Sequence, residues 1–131
     1  MPLLDANGLT DGPAAEPVAN TSTIADLLAA GGDLIAIAFP AFTDGRGFSL
    51  ARGLRQAGYA GRLRASGELL PDQFAFALDC GFDEVEVSDE RLARQPVDQW
   101  LAALAEVDLA YQPNARVTDI FARRRAAREA A

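Results

Sequence analysis

The run Leu34-Ile-Ala-Ile-Ala-Phe39 constrains this chain most. Six consecutive apolar residues without alternation describe a strand covered on both faces, as in a parallel sheet flanked by helices. Pro40 stops the run, and the loop Ala41 to Phe48 follows with two glycines. From Asp33 to Ser88 the chain then keeps a strand–helix rhythm: a helix over Ser49 to Ala57, a strand over Arg62 to Ser66, a helix over Pro71 to Cys80 and a strand over Glu84 to Ser88. Short links between such units force right-handed βαβ crossovers. The expected fold class is α/β: a small parallel sheet of three to four strands with flanking helices.

Local chemistry sets the boundaries. Ser49 is a natural N-cap, with Leu50, Ala51, Leu54 and Ala57 on one face and Arg52 and Arg55 off it. Pro71 suits a first helical turn, and Asp72 complements the positive end of the helix dipole. Phe74, Ala77 and Leu78 form the buried stripe, and Gly58 and Gly81 end the two helices. Leu63 and Ala65 point inward in one strand, Val85 and Val87 in the next, which reads as nearer an edge. Upstream, Thr23 with Asp26 caps a short helix closed by Gly31 and Gly32. Residues 1–20, rich in proline, glycine and small residues, read as a flexible arm ahead of a single α/β domain over 21–131. Leu3, Leu4 and Leu9 give only a weak strand signal there. Downstream, Pro96 opens an amphipathic helix carrying Val97, Trp100, Leu101, Leu104 and Val107. A short fourth strand over 109–112 and a last helix over 117–128, ending in Arg123, Arg124, Arg125 and Arg128, complete the expectation.

Absent residue types narrow the chemistry. The 131 residues contain no histidine, and all 12 basic residues are arginine. Imidazole catalysis, haem ligation by histidine, Schiff-base chemistry and a P-loop lysine are therefore excluded. Cys80 alone cannot hold an iron–sulfur cluster or close an intramolecular disulfide. A net charge of −7 argues against nucleic-acid binding, which needs a basic face. No secretory signal and no apolar run of about 18 residues is visible, so the expected location is the cytoplasm and no membrane partner is expected.

In parallel α/β sheets ligands bind beyond the carboxyl ends of the strands. That edge collects Asp44, Arg46, Gly47, Ser49, Ser66, Glu68, Asp72 and Gln73. Arg46 with the amides near Gly47 and Ser49 is a candidate cradle for a small oxyanion; tight βα turns use the same residue types without any ligand. The Gly-Arg-Gly segment is not a dinucleotide fingerprint, because Leu50 stands where the third glycine belongs. Asp44 and Glu68 are a candidate carboxylate pair, against the plainer reading that one of them pairs with Arg46 or Arg64. Cys80 reads as a buried, inert thiol. Phe39, Phe42, Phe48, Phe74, Phe76 and Phe82 read as core; no cofactor is evident, and a noncovalently bound flavin stays open.

The segments Phe39-Pro-Ala-Phe-Thr-Asp-Gly-Arg-Gly-Phe-Ser49, Ala51-Arg52, Leu54-Arg55, Gly58-Tyr59, Gly61, Leu63-Arg-Ala65, Gly67, Leu70, Asp72-Gln73, Cys80-Gly-Phe-Asp83 and Tyr111-Gln112 resemble a bacterial domain-of-unknown-function family. Its members carry an oxidoreductase label tied to sulfite reduction and are commonly encoded beside assimilatory sulfite reductase. The resemblance implies an accessory or interaction protein in sulfur metabolism, with sulfite reductase or its electron donor as partner. It supplies no catalytic residues. Arg62 and Asp79 depart from it, standing where the family carries glutamate and arginine, a swap expected of a structural ion pair. Two other readings remain: a small oxyanion-binding enzyme or sensor using the Asp44–Ser49 loop, and a structural subunit of a homodimer. Whether the chain is an enzyme stays open on its residues, which show no redox or catalytic motif.

Overall fold

The computed structural model describes residues 1–110, with side chains through Glu106. Its elements are β1 (Leu3–Asp5), β2 (Gly8–Thr10), α1 (Ile24–Ala30), β3 (Leu34–Phe39), α2 (Arg46–Gln56), β4 (Arg62–Gly67), a 3₁₀ turn (Pro71–Gln73), α3 (Phe74–Cys80), β5 (Glu84–Glu86), α4 (Asp89–Arg94) and α5 (Val97–Ala110). The strands form one five-stranded sheet in the order β2-β1-β5-β4-β3.

The expected parallel unit is present: β3 pairs with β4 and β4 with β5 in parallel register. The sheet as a whole is mixed rather than parallel. Leu3–Asp5 and Gly8–Thr10, expected within a flexible arm, form a hairpin that adds antiparallel to β5. This moves β5 from the expected edge to the centre. The edge strand β3 is covered further along the chain. Val18 donates its N–H to the Ala36 carbonyl and accepts from the Ala38 N–H, at 2.7 and 2.9 Å, so the middle of the outer ladder of β3 is bonded within the chain.

One face of the sheet is apolar. Ile35, Ile37, Phe39, Leu63, Ala65, Val85 and Val87 are buried and share a core with Leu54, Phe74, Ala77, Leu78 and Trp100 from α2, α3 and α5. Burying side chains of this size contributes about 1.5–3 kcal/mol each. Trp100 is fully buried, meets Phe74 edge-on at 5.6 Å and donates its indole N–H to the Gln95 carbonyl.

The Thr23 cap forms as expected, accepting from the Asp26 N–H at 3.2 Å. Ser49 is not an N-cap. Helix α2 begins three residues earlier, at Arg46, because the Asp44 carboxylate accepts the Arg46 N–H and Gly45 takes the capping position. Helix α4 was not expected, although Ser88 as N-cap, Asp89 and Glu90 in the first turn and Arg91 and Arg94 in the last turn are its ordinary signals. The expected strand over 109–112 starts inside α5, which is helical through Ala110. The rest of it, the expected helix over 117–128 and the terminal arginine cluster lie outside the described residues.

Candidate functional site

The carboxyl edge holds the predicted residues, but mostly in bonds to one another's surroundings rather than facing a common ligand. Asp44 accepts from the Asn20 side-chain amide at 2.9 Å and from the Arg46 N–H at 3.1 Å. The Arg46 amide, then the Asn20 amide, holds its carboxyl below the usual carboxylate range. The Arg46 guanidinium lies 3.9 Å from Asp44 with 68% of its side chain exposed. Gly47 is buried under the Phe39 ring, and any Cβ there would overlap that ring. Ser49 and Asp72 are exposed on their helices.

Gln73 joins two loops. Its amide donates to the Phe42 carbonyl at 2.7 Å and accepts from the Leu70 N–H at 3.0 Å. Ser66 is buried on the sheet face away from the helices, where its hydroxyl donates to Glu86 at 2.9 Å. Glu68 pairs with Arg91 at 2.9 Å, not with Asp44 or Arg64. The edge therefore brings Asp44 to Arg46 and Gln73 to the Phe42 loop; it does not assemble a carboxylate pair. A cleft of about 150 Å³ between Glu68, Ser88, Glu90, Arg91 and Arg94 opens at the ends of β4 and β5. Its ion pairs, Arg91 to Glu68 and Arg94 to Glu90, neutralise it from within.

A second cleft, about 180 Å³, runs between α2 and α3 past Phe48, Ser49, Arg52, Gly53, Gln56, Phe76 and Cys80. Phe39, Phe48, Phe74 and Phe82 are core residues as expected, but Phe42 and Phe76 stand 46% and 48% exposed. Phe76 packs edge-on against Phe48 at 4.9 Å, and the Arg52 guanidinium lies 5.8 Å from its ring centre. Arg52 also donates to the buried Cys80 sulfur at 3.4 Å and stands 4.0 Å from Asp79. The sequence signal for this patch was residue type alone: aromatic side chains at positions where half of the ring faces water.

At the opposite, amino end of the strands, Arg55 reaches across three segments. It donates to the carbonyls of Tyr59, Gly61 and Gly81 at 2.7–3.1 Å and pairs with Asp83 at 3.0 Å. Asp83 in turn accepts the Leu63 N–H. Helical periodicity placed Arg55 off the apolar face, and nothing local announces this clamp. Arg62 and Asp79 do not pair with each other as the charge swap suggested. Arg62 bonds Glu84, and Asp79 stands beside Arg52.

Among the described residues no group of three or more acidic or cysteine side chains is placed to hold a metal ion. No helix among them is long and apolar enough to cross a membrane. Comparison with curated proteins and with solved structures gives no match. A family model matches residues 15–121, and this chain belongs to that family, described as bacterial protein of unknown function, DUF934.

Proposed function

We propose that this protein is an accessory, partner-binding protein that serves assimilatory sulfite reduction. The sulfur-metabolic context rests on the family resemblance of its motifs. The observation that carries the binding role is the surface of α2 and α3. Phe76 and Phe42 are half-exposed, Gln73 ties the Phe42 loop to the start of α3, the Arg52 guanidinium lies by the Phe76 ring, and Arg46 is exposed at the start of α2. Aromatic and arginine side chains dominate the energetics of protein interfaces, because they bury large area and still offer directed polar contacts. Polar groups at the carboxyl edge such as Asp44, Ser66, Glu68 and Gln73 are already engaged inside the molecule. The partner surface it fits is apolar with carboxylates at its rim, and the resemblance makes sulfite reductase or its electron donor the partner to test.

The test is binding of purified sulfite reductase to the wild-type chain and to the double variant Phe42→Ser, Phe76→Ser. Both rings are half in water, so the variant keeps its fold, checked by thermal melting. At least tenfold weaker binding is expected, about 1.4 kcal/mol. Equal binding by the variant, or none by the wild type, would overturn the reading. A flavin band in the absorbance spectrum of the purified protein would instead point to an electron-carrying role.

A further inference from the structure

The sheet face turned away from the helices is polar and largely buried. It carries Arg62, Arg64 and Ser66 from β4 beside Glu84 and Glu86 from β5. Glu84 bonds both arginines, accepting from Arg62 Nη2 and, at 2.7 Å, from Arg64 Nε. Arg64 is 0% exposed. Its Nη1 donates to the Pro13 carbonyl at 2.8 Å, while its buried Nη2 has no acceptor among the described residues. A guanidinium nitrogen buried in this way has lost its water and gained nothing in return.

The Nη2 atoms of the two arginines converge on one point. A Cβ built on Gly12 would stand 2.8 Å from Arg64 Nη2 and 3.1 Å from Arg62 Nη2, so the nitrogens are no further apart than those two distances together. Gly12 and Pro13 cross this point as an exposed strap, and residues 11–17 form no helix or strand. Two guanidinium groups share one carboxylate, Glu84. The nearby Glu86 is bonded to the Ser66 hydroxyl.

We propose that Arg62 and Arg64 form an oxyanion site beneath the Gly12–Pro13 strap. A tetrahedral or pyramidal oxyanion takes the place of the Pro13 carbonyl on Arg64 Nη1 and accepts from Nη2 as well, a bidentate fit that a single carbonyl cannot make. Arg62 Nη2 donates from the side, and the strap moves off to admit the ion. Gly12 is small because anything larger would press on both nitrogens. The site lies on the sheet face opposite α2 and α3, and it stands independently of the partner-binding reading.

The test is titration of the full chain with sodium sulfite, sulfate and phosphate at constant ionic strength, followed by calorimetry and by ¹H–¹⁵N spectra that resolve backbone amides and arginine Nε–H groups. Saturable one-to-one binding of at least one ion is expected, and the tightest of the three names the ligand. Shifts should concentrate at Gly12 and at the side chains of Arg62 and Arg64. Arg62→Gln, partly exposed and so tolerated, should weaken binding at least tenfold. Gly12→Asp, which sets a carboxylate against both nitrogens, should abolish it. Arg46→Ala, on the other arginine-bearing edge, should bind as wild type. No saturable heat with any of the ions, unchanged affinity in Arg62→Gln, or shifts centred on Arg46 and Arg52 would overturn the proposal.

Discussion

Replacing Glu84 with glutamine tests whether the polar face of the sheet is an electrostatic layer or merely a tolerated one. Glu84 is 2% exposed and answers two arginines at once. In Glu84→Gln the amide keeps one acceptor but offers no charge, so Arg64 holds its positive charge in the interior without a counter-ion. Breaking a buried ion pair from one side costs about 3–5 kcal/mol. Arg62 keeps about a third of its side chain in water, 32%, so its share is screened and the expected loss is about 3 kcal/mol. Against a total stability of about 5–15 kcal/mol that is a large fraction. At roughly 3–5 °C per kcal/mol for a chain of this length, the melting midpoint should fall by about 10–15 °C. Urea unfolding followed through the fluorescence of Trp100, the single tryptophan, and through far-ultraviolet dichroism measures the loss. The companion variant Glu84→Met with Arg64→Met replaces the pair by apolar side chains and should recover most of the stability. A loss below about 1 kcal/mol in Glu84→Gln would refute the reasoning. So would a double variant less stable than the single one.

Two further outcomes follow from the carboxyl edge. Gly47→Ala drives a methyl into the buried Phe39 ring. Overpacking of this kind should cost about 1–3 kcal/mol in chemical denaturation, and a neutral result would mean the ring has room to move. Asp44 has its carboxyl held low by the Arg46 and Asn20 amides. A depressed folded value contributes stability that is present above the unfolded value, about 3.9, and is lost as pH falls through the folded one. The stability gap between wild type and Asp44→Asn should therefore narrow when urea midpoints are compared at pH 6 and pH 3; a constant gap would show that the bonds do not depend on the charge.

Many of the residues quoted for the resemblance fall in two structural locks. Arg55, Tyr59, Gly61, Gly81 and Asp83 make the clamp at the amino ends of the strands. Phe39, Phe42, Gly47, Leu70 and Gln73 fasten the loops at the carboxyl ends. Each lock has a bond that spans 26 to 31 positions, Arg55 to Gly81 and Asp83 in one and Gln73 to Phe42 in the other, so in sequence their glycines and polar side chains look like turn and capping chemistry. Arg46 and Asp72 remain exposed, and so are Phe42, within the Ala41–Phe48 loop, and Phe76 on α3.

By itself the sequence determined the βαβαβ core from Leu34 to Glu86, because unbroken apolar runs, alternation and helical stripes are local consequences of burying a face. It also determined which chemistries are closed, through the absence of histidine and lysine. Tertiary structure decided the rest. The N-terminal hairpin is only three residues per strand, and the weak strand signal of Leu3, Leu4 and Leu9 becomes a strand pair only by bonding β5. Arg64 alternates with Leu63 and Ala65 as a solvent-facing residue would, yet it is buried, because a segment some 50 residues upstream crosses over it. Burial of that second face depends on contacts distant in sequence, and it is there that the arginine pair acquires a meaning its own neighbourhood does not carry.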